Sequence, residues 1–130
     1  MATWTELADR LRRTYTLETD DPDELALTLE RKEGAVVRGQ RVMLRRYAAW
    51  GREMIEIRSA FGEAGEYEAE ALLIENLTLP LGAIAIHGRY LVLIQRACLD
   101  DLQVEGVLFL MTRSSMLADV LEGRGGVDRF

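Results

Sequence analysis

Asn76-Leu-Thr-Leu-Pro-Leu-Gly-Ala-Ile-Ala-Ile-His-Gly-Arg-Tyr-Leu-Val-Leu-Ile-Gln95 holds the change of period that decides the fold. Just upstream, Glu66-Tyr-Glu-Ala-Glu-Ala-Leu-Leu-Ile-Glu-Asn-Leu77 is dense in strong helix formers. Tyr67, Ala71, Ile74 and Leu77, or Leu72 and Leu73 beside them, make its apolar stripe, and the early glutamates suit the positive end of a helix dipole. Pro80 stops that helix. Gly82–His87 and Arg89–Gln95 then read as two strands joined over His87-Gly88. Both strands are apolar on both faces, which calls for cover from helices or from a second subunit.

Outward from this junction, the same logic assigns the rest of the chain. Trp4, Leu7, Ala8, Leu11 and Tyr15 follow helical spacing, with Thr3 or Thr5 as cap. Glu18–Asp23 breaks that helix as a charged loop. Leu25, Leu27 and Leu29 alternate with Ala26, Thr28 and Glu30, the mark of a half-buried strand. A second strand runs from about Ala35 to Ala49, bent or bulged at Gly39. Trp50-Gly51-Arg52 turns into a third strand at Met54–Arg58. Asp100-Asp101 caps a last helix from Leu102 to Glu122, buried over much of its girth. The order is α-β-β-β-α-β-β-α, an α+β class with an antiparallel sheet packed against helices. Residues 1–122 form one domain, and 123–130 are a flexible C-terminal tail.

Composition sets limits on function. The chain has 130 residues, 48% apolar and 29% charged, with a formal net charge of −6. That is globular composition, and the acidic balance argues against nucleic acid as a bulk partner. The single cysteine, Cys98, excludes an internal disulfide and a Cys-only metal cage. The single histidine, His87, lies in a tight turn with no nucleophile or orienting carboxylate beside it. No stretch is apolar for the length that spans a bilayer, and the N-terminus lacks the pattern of a secretory signal. A cytoplasmic protein with no cofactor, no metal site and no catalytic residues is expected. Glu63, Glu66, Glu68 and Glu70 alternate as metal ligands might in a loop, but on a helix they diverge, so a solvated helix start is expected.

Charge is unevenly spread. Residues 38–58 carry a local balance of +4, against −4 for residues 1–37 and −6 for residues 59–130. The bland reading is that these arginines pair with neighbouring glutamates on a solvated face. The functional alternative is an anion-binding strip of Arg41, Arg45 and Arg46 for an acidic peptide or nucleic acid. The apolar hairpin suggests a further surface, closed in the commonest case by two-fold pairing.

The segments Asn76–Ile86, Gly88–Leu93 and Leu99-Asp-Asp-Leu102, with Gln40–Leu44 and Gly51–Arg58 as central hairpin, resemble the class I chaperones of type III secretion, the Tir-chaperone type, and the related YbjN-type proteins. The likeness spans roughly residues 4–122. It implies a homodimer without enzyme activity that holds an extended segment of a secreted or other protein partner on apolar patches. By position, Leu7, Leu11, Leu25, Leu27 and Leu29 would bind the partner. Ile74, Leu77, Ile84, Ile86, Leu91 and Leu93 would form the dimer interface. A YbjN-type adaptor or regulator is the other role the resemblance allows.

Overall fold

The structure is a computed structural model, and it describes residues 1–124. Within them the chain runs α1 (Trp4–Thr14), β1 (Thr19–Asp20), β2 (Glu24–Glu33), β3 (Val36–Ala49), β4 (Arg52–Glu63), α2 (Ala69–Asn76), β5 (Ala83–His87), β6 (Tyr90–Cys98) and α3 (Val104–Arg124). The strands form one antiparallel sheet in the order β1-β2-β3-β4-β6-β5. The α+β reading holds. The short β1, within the stretch read as a loop, adds an edge strand through Thr19 opposite Ala26.

Helices cover one face of the sheet, and the two packed clusters record how. Leu7 and Leu11 of α1 meet Leu25, Leu27, Val42, Leu44, Ile55 and Ile57 of the sheet, with Val107 and Met111 of α3. Farther along α3, Ala118 and Leu121 close over Phe61, Leu91 and Leu93. Burying a side chain of this size contributes about 1.5–3 kcal/mol, so these two clusters dominate the stability of the fold. Among the described residues, no helix lies on the opposite face. Thr3 caps α1 by accepting a hydrogen bond from the Glu6 N–H at 3.2 Å.

Local detail corrects several expectations. Gly39 sits opposite Glu30 in unbroken register, so β3 has no bulge there. A Cβ on Gly39 would lie 3.0 Å from Thr28 Cγ2, so the glycine makes room across the strand. The register shift lies instead between Ala60 and Gly62 of β4. The extra residue is Phe61, buried and edge-on to Tyr67 with ring centroids 5.8 Å apart. Asp100 and Asp101 do not cap α3; they belong to a single 3₁₀ turn, Leu99–Asp101, and the helix begins at Val104. Arg52 donates to both carboxylates at 3.0 and 2.7 Å, which ties the β3–β4 turn to that 3₁₀ turn. Helix α3 also runs on through Gly123 and Arg124, two residues read as tail; positions 125–130 lie outside the described residues. It is buried along one face rather than around its girth, since Phe109 and Val120 are exposed.

The β3–β4 turn carries a testable strain. Trp50 has φ 52° and Gly51 φ 72°, the paired left-handed geometry of a two-residue hairpin loop. Tryptophan is ill suited to that conformation, and its side chain is 94% exposed, so nothing is gained by burial. Trp50→Asn is expected to raise stability by about 0.5–1 kcal/mol, or about 3 °C in the melting temperature. A thermal melt that falls instead would show that the indole contributes to the fold.

Candidate functional site

Two surfaces stand out once the core is accounted for. The first joins α2 to the edge strand β5. The sequence between Tyr67 and Leu77 is helical only from Ala69 to Asn76, eight residues, preceded by a 3₁₀ turn at Ala64–Glu66. Glu66 accepts the Glu63 N–H in that turn, so two of the four glutamates cap backbone rather than gather. Among the described residues, no group of His, Cys, Asp and Glu is placed to hold a metal ion. Asn76 fixes the helix to the sheet. Its Oδ1 accepts the Ile84 N–H at 2.5 Å, and its side-chain nitrogen donates to the Ile84 carbonyl at 3.4 Å. The side-chain amide thus takes both hydrogen bonds that a neighbouring strand would offer Ile84.

So anchored, α2 turns its apolar side chains outward. No residue of this helix is buried. Leu73 is 70% exposed and Leu77 89%, and Ile74 and Ile86 are exposed beside them. Leu72 and Ile84 pack inward on the second cluster. A helix this short has little stability of its own, so its apolar exposure is costly unless something covers it. Of the residues expected at a dimer interface, Ile74 and Leu77 are exposed on α2, Ile86 is exposed on β5, and Ile84 is partly buried against the second cluster. Leu91 and Leu93 do not reach this surface: both are buried beneath α3, because β6 is an inner strand of the sheet.

The expected partner-binding leucines are also displaced from the surface. Leu7, Leu11, Leu25 and Leu27 are wholly buried against one another in the larger cluster, and Leu29 is partly buried at its margin. The stripe on α1 and the alternation in β2 were complementary halves of one core. Neither is a free apolar patch.

The second surface is the face of the sheet without helices. Cross-strand register places Glu24, Arg45, Glu56 and Arg96 in one row. Glu56 is only 2% exposed at its centre. It accepts from Arg45 Nη2 at 3.1 Å and from Arg96 Nε at 3.0 Å, and Arg58 Nε lies 3.3 Å away. Burial alone would raise its pKa. The hydrogen bonds from Arg45 and Arg96 and the charges of Arg45 and Arg58 outweigh that, and hold the carboxyl below its usual range. Arg45 also lies over the Tyr47 ring, 4.8 Å from its centroid.

The three arginines expected to bind an anion together are not grouped. Arg41 faces Glu18 at 3.6 Å, and Arg45 is held on Glu56. Arg46, opposite Ile55, lies on the helix side of the sheet and contacts Asp23 and Glu53 at 3.4 and 3.2 Å. Adjacent positions in a strand point to opposite faces, so Arg45 and Arg46 are parted by geometry. Pairing with nearby carboxylates is what the structure gives them. Cys98, half-buried, has its Sγ 3.5 Å from Met54 Sδ, and His87 is exposed at the end of β5.

Among the described residues, no helix is long and apolar enough to cross a membrane. No protein-family model matches the chain, and no curated protein matches it in sequence. A chain of the solved HopA1-SchA chaperone-effector complex is similar to it in fold, with a TM-score of 0.55 at 14% identity. The likeness covers 87% of this chain and 86% of that one. The fold is therefore of the kind found in a chain of that chaperone-effector complex.

Proposed function

We propose that this chain is a non-enzymatic, secretion-chaperone-like module of the cytoplasm that binds a segment of a protein partner as a homodimer. The observation that carries the reading is the exposure of four large apolar side chains on α2 and β5, Leu73, Ile74, Leu77 and Ile86. A two-fold pairing of α2 and the β5 edge against a second copy covers all four at once. Burying such side chains contributes about 1.5–3 kcal/mol each, enough in sum to offset the cost of association. The near-complete overlap in fold with a chain from a chaperone-effector complex supports the same reading.

Light scattering after size exclusion tests the dimer. A mass near twice 14.7 kDa is expected over a range of concentrations. A mass of one chain throughout would overturn it. Bait experiments with the dimer then test the partner: a stable complex with a protein segment is expected, and loss of that complex in a monomeric variant would link the two properties.

A further inference from the structure

Helix α3 has two apolar stripes. Val107, Met111, Ala118 and Leu121 are buried against the sheet. Phe109, Met116, Leu117 and Val120 keep helical spacing on another side and border a depression of about 430 Å³. Pro80 and Leu81, in the link from α2 to β5, border it too, and Leu79 of that link packs in the smaller cluster. Phe109 is 57% exposed and Val120 48%, so the depression is open to an incoming group. The stripe from Phe109 to Val120 spans about 16 Å, the length of about five extended residues.

Both charged residues that border this depression are arginines, and they differ. Arg31 stands on Asp119 and lies 3.0 Å from Glu33, so its charge is met within the subunit. Arg113 is exposed and meets no carboxylate among the described residues. Its guanidinium lies over the Phe109 ring, 5.5 Å from the centroid, and its Nη1 is 3.8 Å from Met116 Sδ. The apolar wall itself thus holds an unmatched cation beside the open space. A second copy does not suit such a surface. A two-fold contact centred here brings two unmatched arginines together and offers neither of them a bordering carboxylate. A segment with an acidic residue beside apolar ones matches both features, since its apolar side chains fill the depression and its carboxylate pairs with Arg113. We infer that this face of α3 holds a segment of a protein partner in which an aspartate or glutamate adjoins apolar residues. This rests on the reading of the chain as a protein-binding module.

The test uses the full chain with ¹³C-labelled methionine methyls and two capped tripeptides, acetyl-Asp-Leu-Leu-amide and acetyl-Lys-Leu-Leu-amide. A saturable shift of the Met116 methyl is expected with the aspartate peptide, while Met43 and Met54, on the other face of the sheet, stay unmoved. Affinity for the lysine peptide is expected to be lower by about fivefold, a gap that closes in high salt. Arg113→Glu is expected to invert the preference, and it keeps a good helix former at an exposed position. Phe109→Ala, which removes one wall, is expected to weaken both peptides alike, and Val120→Ala serves if that variant does not fold. No saturable shift at Met116, the mark of a depression already covered by the chain itself or by a second copy, would overturn the inference. So would a preference for aspartate that survives Arg113→Glu. Dimerisation and partner capture that persist after such a failure leave the chaperone-like reading intact. Peptide binding by a protein that never dimerises and captures no partner would sink that reading and keep the site on α3.

Discussion

Leu77→Asp is expected to turn the proposed dimer into a monomer of 14.7 kDa with an unchanged circular dichroism spectrum. Leu77 is among the most exposed apolar side chains of the described residues, and it packs in neither core cluster. A carboxylate there costs the subunit little: water solvates it, and at the C-cap of α2 it opposes the helix dipole by less than about 1 kcal/mol. In a two-fold interface the same carboxylate is buried twice, once from each copy, and unpaired. A loss of about 3 kcal/mol follows, more than 100-fold in dimer affinity. Leu27→Asp is the contrasting variant. Leu27 lies in the larger cluster with no exposure, so the charge has no access to water and the domain is expected not to fold. Light scattering and circular dichroism on both variants separate interface from core. An unfolded Leu77→Asp, or a dimer that persists in it, would exclude the α2–β5 patch as the interface.

Glu56→Gln is expected to lose about 3 kcal/mol of stability near pH 7, the lower end of what breaking a buried ion pair costs. The lower end applies because Arg45 and Arg96 are part-exposed and can turn to water once the carboxylate is gone. The dependence on pH has a definite sign. The folded-state pKa of Glu56 lies below its ordinary value of 4.5. Its contribution is therefore fully present above that value and is lost as pH falls through the folded pKa. Urea unfolding of the two proteins should give curves that differ at neutral pH and draw together as pH falls below 4.5 through the folded pKa. Curves that stay parallel down to about pH 2 would mean that ionisation of Glu56 is not what the three arginines stabilise.

The register of this sheet shows why some of the protein could be read from its sequence and some could not. The alternation of Leu25, Leu27 and Leu29 and the stripe of Leu7 and Leu11 each named a buried face correctly. Periodicity reports that a face is apolar; it does not report what covers it. The two faces cover each other, and so residues that fit a partner-binding patch equally well proved to be core. The same limit separates Leu77 from Leu93. Both sit in apolar runs, but the strand order places β6 inside the sheet and α2 at its edge. Strand order is a non-local property. Arg45 and Arg46 were a near miss of another kind: the period-2 rule alone parts them, and charge counting overlooked it. A recess of about 240 Å³ lined by Leu29 and Gln40 of the first hairpin and Ser115 and Met116 of α3 had no local signal. It arises where α3, some 75 residues later in sequence than Gln40, crosses the first hairpin.

The amide of Asn76 has a consequence for assembly. Exposed sheet margins invite growth by backbone pairing, chain upon chain without limit. Here one side chain occupies the main-chain donor and acceptor of Ile84, the second of the five residues of β5, so a foreign strand cannot run the length of β5 without first displacing a helix. Association at this end is left to the leucines and isoleucines around it. The protein can thus offer an apolar rim at the sheet margin while closing the backbone route by which one sheet extends another.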